Sequence, residues 1–245
     1  MFMLSLRALA AAAAVGLLVV GCGSKKSSEE DAQQIKVTLT SAGCDPATIN
    51  AKSGPIKFTI TNQGANAVSE LEVLDGNHVI GEVENVIPGL SRSFTINANP
   101  GEYTLACPGG TTNARGKLIV TGSARAAATP TGPVTTVSIT ERDWAIEAAS
   151  ASGPAGDFTF DIRNDGPTTH EFVIIKTDVA AASLPVANSE VNEGDSRLQH
   201  IDEVEDLEAQ AGASFTVNLK PGHYVFICNI ATHYQQGMHA DFTVN

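Results

Sequence analysis

Residues 221–245 read PGHYVFICNIATHYQQGMHADFTVN. Pro221-Gly222 makes a tight turn, and His223 to Ile227 is a β-branched and aromatic run of strand type. A second strand pattern, His239 to Val244, follows a connection rich in Asn, Thr, Gln and Gly. The pair predicts two β-strands joined by a loop that carries Cys228, His233 and Met238. Little helical periodicity interrupts this pattern anywhere in the chain, and short strands recur at roughly ten-residue spacing. The expected fold class is therefore all-β, as two tandem Greek-key β-sandwiches after an N-terminal signal peptide.

The tandem comes from an internal repeat. Glu82 to Cys107 aligns without gaps on Glu203 to Cys228, with about eleven of some 26 positions identical, enough to mark a duplication. Both copies carry SFTIN or SFTVN, in which Phe and Ile or Val alternate inward against Ser, Thr and Asn. Both carry Pro-Gly-x-Tyr, ending in Tyr103 and Tyr224, which resembles the tyrosine corner of Greek-key sandwiches. Asn62-x-Gly64 and Asn164-x-Gly166 read as turns where positive φ is cheap. The Ala, Pro, Gly and Thr-rich stretch 121–133 reads as the linker, leaving units at 35–120 and 134–245.

The first 22 residues form a targeting segment. Arg7 gives a positive start, Leu9 to Val20 is an apolar run short for a membrane span, and Val19-Val20-Gly21-Cys22 resembles a bacterial lipobox. Cys22 is the expected lipidation site, and residues 23–34 read as a flexible stalk. The expected location is the extracytoplasmic face of a bacterial membrane, periplasm or cell surface, with membrane contact through the lipid. A net charge of −12 argues against nucleic acid as a partner. Cys44, Cys107 and Cys228 then remain, an odd number, which implies an unpaired thiol or a metal ligand. Met1 and Met3 leave with the signal, so Met238 is the one methionine of the mature chain.

Thiolate, imidazole and thioether fall together at Cys228, His233 and Met238. A second imidazole, His170, heads the apolar run Phe172-Val173-Ile174-Ile175. Two His and one Cys with a weak axial Met is the donor set of a copper electron-transfer site. His200, in an acidic loop, and His223 and His239, pointing outward, are read as non-ligands.

The motifs HEFVI, PGHYVFICN and GMHADFTV, with their Cys-x4-His-x4-Met loop, resemble the plastocyanin/azurin family, particularly its auracyanin- and sulfocyanin-like cupredoxins. That resemblance implies one type 1 (blue) copper held by His170, Cys228, His233 and Met238, and one-electron transfer with His233 at the exposed edge. In the first unit, CDPATI, ELEVLDG, ENVIPG and PGEYTLACPGG resemble the cupredoxin-like domain of EfeO-type iron-uptake proteins. No His or Met follows Cys107, and the place of His170 aligns with Glu70, so a type 1 site is not expected there. The resemblance implies a second site for copper or iron at Cys44, Glu70 and Cys107, with Glu72, Glu82 and Glu84 nearby. A Cys44–Cys107 disulfide is the other reading for an oxidising compartment.

The expected role is electron transfer with an unidentified redox partner. The alternative is copper trafficking or iron/copper handling with a metal donor or acceptor. No catalysis is expected, since neither a His-x-His pair nor a Ser-His-Asp set with a nucleophile motif is present.

Overall fold

The computed structural model describes residues 32–124 and 132–245. The signal segment with Cys22, and the stalk as far as residue 31, lie outside the described residues. The first half runs β1 (Gln33–Thr40), β2 (Gly43–Asp45), β3 (Thr48–Lys52), β4 (Gly54–Asn62), β5 (Leu71–Asp75), β6 (His78–Val83), β7 (Ser91–Ala98), β8 (Gly101–Ala106) and β9 (Arg115–Thr121). The second runs β10 (Thr135–Arg142), β11 (Ala145–Ala148), β12 (Ser152–Gly153), β13 (Gly156–Asn164), β14 (His170–Lys176), β15 (Val186–Ala187), β16 (Glu190–Val191), β17 (Gln199–Leu207), β18 (Gly212–Leu219), β19 (Gly222–Ile227) and β20 (His239–Val244). Gln33 and Gln34 thus begin β1 rather than end the stalk. His200 lies in strand β17, not in a loop.

Each half is a sandwich of the same plan. Outer sheets of order β2-β1-β4-β7 and β11-β10-β13-β18 each contain one parallel pair, β1 with β4 and β10 with β13. Both pack on one continuous ten-stranded sheet, β12-β20-β19-β14-β17-β6-β5-β8-β9-β3. Its two halves join where β17 pairs with β6, Glu203 opposite Val79 and Val204 opposite His78. The seam is polar: His78 Nε2 lies 2.6 Å from Asp202, Asn77 donates to the Asp206 carbonyl, and Arg115 pairs with the Asp206 carboxylate.

The repeat's shared residues have structural work. Tyr103 donates to the Asn99 carbonyl at 2.9 Å and Tyr224 to the Lys220 carbonyl at 2.7 Å, so both tyrosine corners form. Asn62 and Asn164 are buried, and their amides donate to carbonyls of the surrounding loops and, for Asn164, of Leu207 at the end of β17. Gly64 has φ of +97°, as a turn glycine should. Gly166 is kept for a different reason: its φ is not in the left-handed region, but a Cβ there would stand 2.9 Å from Asp143 Oδ1 and 3.0 Å from His170 Nε2.

The second core is aromatic. Phe160 is fully buried and meets Phe158, Phe172, Phe215, Phe226 and Phe242 at centroid distances of 5.3–6.3 Å. Burying such a ring contributes about 1.5–3 kcal/mol. This cluster also contains Cys228 and Met238, so the metal-binding candidates rest on a close-packed floor.

Cys44 and Cys107 are joined as a disulfide, buried in the first core. Their sulfurs are not thiolates, which removes them as ligands of the site at Cys44, Glu70 and Cys107. A chain beginning after Cys22, denatured without reductant, should expose one reactive thiol, from Cys228. After reduction it should expose three. Three before reduction would contradict the bridge.

Candidate metal centre

Sheet register brings the site together. Phe172 stands opposite Val204 and Val173 opposite Ile227, which sets His170 at the start of β14 beside Cys228 just beyond the end of β19. The connection from β19 to β20 folds over them. Cys228 N–H donates to the Met238 carbonyl at 3.2 Å, and His233 N–H to the Ile230 carbonyl at 2.9 Å. A single 3₁₀ turn, Tyr234–Gln236, ends at Gly237 with φ of +120°, where a Cβ would strike the Trp144 carbonyl.

Three donor atoms converge. His170 Nδ1 lies 3.3 Å from His233 Nδ1, and Cys228 Sγ lies 3.9 Å from the first and 3.3 Å from the second. A point equidistant from all three is about 2 Å from each, the bond-length range of metal–imidazole and metal–thiolate contacts. His170, Cys228 and Met238 are fully buried, while His233 is partly exposed. Burial and the neighbouring His233 lower the His170 pKa, and burial lowers that of His233, so both imidazoles favour the neutral ligating form. Burial raises the Cys228 thiol pKa, opposed by the backbone N–H groups of Glu171 and Ile230 that point at its sulfur. Two imidazole nitrogens facing a buried sulfur are the donor set a metal ion would draw on.

Residues that spacing did not signal complete the surroundings. Asp143 Oδ1 lies 3.3 Å from His170 Nε2 and accepts a hydrogen bond from Thr168. A carboxylate there favours the proton on Nε2 and leaves Nδ1 free to ligate. Trp144, exposed and with φ of +70°, meets His233 edge-on at 5.5 Å. Glu141 is fully buried with both oxygens unpartnered, and its pKa is raised by burial. Nothing in the sequence pattern marks a strand glutamate for such burial. His223 bonds the Thr177 carbonyl and Asp241, and His239 packs on Tyr234, both away from the three donors.

The first unit holds no such cluster among the described residues. Leu71 stands opposite Val83 and Glu72 opposite Ala106, just as Phe172 stands opposite Val204 and Val173 opposite Ile227. Counting back, Ser69 takes the place of His170, and Glu70 that of Glu171. Glu70, expected at His170's place with one extra residue in the loop before β5, is one residue too far along: the step from Asn62 to Leu71 is one residue longer than that from Asn164 to Phe172, and that single residue leads to Ser69.

Residues 10–120 match the family model of the cupredoxin-like domain. The first unit is a cupredoxin-like domain. It is EfeO-like: the chain is 46% identical over 96 residues to the iron uptake system component EfeO of Escherichia coli (strain K12), and equally to that of Shigella flexneri. The match takes in 39% of this chain and 25% of that protein, so the chain spans about a quarter of the length of the curated relatives it matches. Among solved structures, dithionite-reduced auracyanin of Roseiflexus castenholzii is 24% identical, with 46% of this chain and 99% of that chain covered and a TM-score of 0.37. A multi-copper oxidase of Pediococcus acidilactici is 12% identical, with 87% of this chain and 59% of that chain covered and a TM-score of 0.34.

Carboxylates crowd the seam beside the centre. Burial and the neighbouring Glu84, Glu205 and Glu82 raise the Glu70 pKa to about 7, and burial with Glu82 and Glu190 raises that of Glu84 to about 7. Both stand near 4.5 when unperturbed, so the folded state holds protons that the unfolded chain gives up. Their stability contribution is full below 4.5 and is lost as pH rises through 7. The metal-free protein should therefore melt lower at about pH 8 than at about pH 5, and Glu84→Gln should flatten the slope. Calorimetry showing the melting temperature rising over that interval would contradict this.

Proposed function

We propose that this chain is an extracytoplasmic electron-transfer protein, lipid-anchored through Cys22, with one type 1 copper held by His170, Cys228, His233 and Met238. The observation that carries the reading is the convergence of two Nδ1 atoms and one thiol sulfur within 3.9 Å of one another. Bound copper supplies a one-electron couple. The chain's residues do the rest. The thiolate favours the reduced ion, the imidazoles accept both states, and packed strands hold the donors in one geometry through the change. Cys228 and His170 are shut off from water, and His233 beside Trp144 is the edge that a redox partner would reach. Three protein donors backed by Met238 leave no open position for a substrate, which favours a carrier over an enzyme. No helix among the described residues is long and apolar enough to cross a membrane.

A second reading, metal handling, rests on the 46% identity of the EfeO-like stretch to a component of an iron uptake system. Fast exchange of electrons with redox proteins, without loss of the metal, separates carrier from trafficking protein.

Copper-loaded protein should show the intense visible absorption of thiolate ligation, and Cys228→Ser should abolish it. A colourless copper-loaded wild type would overturn the reading. Asp143→Asn should keep the colour while weakening copper retention by about 10–100-fold, measured by chelator competition. Unchanged retention would deny Asp143 its part in setting His170.

A further inference from the structure

The seam between the sandwiches holds a second convergent set. Strand β14 pairs with β17 as Val173 opposite Glu203 and Ile175 opposite His200, which leaves Ile201 as an extra, bulged residue. Strand β5 pairs with β6 as Glu72 opposite Glu82 and Leu74 opposite Val79, which leaves Ile80 extra in the same way. A bulge shifts which face the following side chains take. Val173 and Ile175 share a face, so Glu203 and His200 share it too. By the same count Glu82 joins Val79, and Val79 stands opposite Glu203 across the seam.

The two bulges thus aim Glu82, His200 and Glu203 together. His200 Nδ1 lies 3.2 Å from Glu82 Oε1 and its Nε2 lies 3.5 Å from Glu203 Oε2. One ligand atom from each residue falls within 4.8 Å of the others. His200 Nε2 is buried and has no hydrogen-bond partner, and neither has Oε2 of Glu72, a residue 4% exposed that stands opposite Glu82. Buried polar atoms left without partners are costly, and a cation facing them would offset that cost.

We propose that Glu82, His200 and Glu203 form a second metal site, for a divalent first-row cation bound through oxygen and nitrogen. Two carboxylates and an imidazole, with no sulfur, suit harder ions than the thiolate centre does. Burial, with Glu82, Glu193 and Glu205 nearby, raises the Glu203 pKa, and a bound cation would lower it again. Glu82 and His200 also border a cleft of about 430 Å³ with His78, Phe94 and Asp202, which gives an ion a way in. Each sandwich supplies part of the set, so the ion would fasten β6 to β17. The site stands apart from the copper reading and from Cys44, Glu70 and Cys107.

The test uses Mn2+, which favours oxygen and imidazole donors over a thiolate. Loss of the free-ion EPR signal on titration into the full-length chain counts bound Mn2+. One Mn2+ per chain is expected in the wild type and in Cys228→Ser alike. Glu203→Gln, which keeps the size of the side chain and removes the ligating carboxylate, should weaken binding by at least about 10-fold, as should His200→Ala. Circular dichroism of each variant checks that it is folded. No Mn2+ uptake by the wild type would overturn the site. So would uptake that survives both substitutions and fades with salt, which is diffuse attraction to the acidic seam.

Discussion

The hydrogen bond from Cys228 N–H to the Met238 carbonyl closes the connection between β19 and β20, and the metal centre depends on that closure. It sets the thiol at one end of the loop against the thioether residue at the other, with His233 folded between them. The loop is held from outside as well. The Tyr234 hydroxyl donates to the Ala181 carbonyl and accepts from Leu184 N–H, and the Asn229 amide is tied to Val191 through both its oxygen and its nitrogen. These ties reach the segment between β14 and β17, so packing from outside the loop helps hold the donors in place. Such preorganisation is what a site needs if its geometry is to stay constant between two charge states.

The duplicated scaffold turns one set of strand positions to two uses. Cys107 and Cys228 end equivalent strands. Cys107 meets Cys44 and is oxidised, whereas Ile146 takes the place of Cys44 in the second unit and leaves Cys228 a thiol. Leu39 stands opposite Asn62, and its counterpart opposite Asn164 is the buried Glu141. One copy has its strand-end sulfur spent on covalent stability, and the other keeps it for a ligand. The repeated Glu-x-Glu pairs, 82 and 84 with 203 and 205, then meet across the seam, where burial raises the pKa values of Glu84, Glu203 and Glu205.

Much of this was legible in the chain because it is local. The Pro-Gly-x-Tyr corners, the alternation of SFTIN and SFTVN, and the Cys-His-Met loop are each read within a few residues, where strand period and turn chemistry act directly. What escaped reading depends on register or on contacts between distant segments. The equivalence of Ser69 with His170 needs the pairing of β5 with β6 and β8. Asp143 reaches His170 only because β10 lies beside β13, and Gly166 is glycine because both side chains crowd it. His200 looked like part of a polar loop because its neighbours are charged, yet it sits in a strand whose bulge turns it toward Glu203. The pairing of the two sandwiches into one sheet has no signal in either repeat taken alone.

X-ray absorption at the copper edge of the loaded protein looks most directly at the ligands themselves. The account predicts a first shell of one sulfur and two imidazole nitrogens, with the outer-ring scattering that histidine gives. A first shell of oxygen and nitrogen alone would contradict it, whatever the colour of the solution.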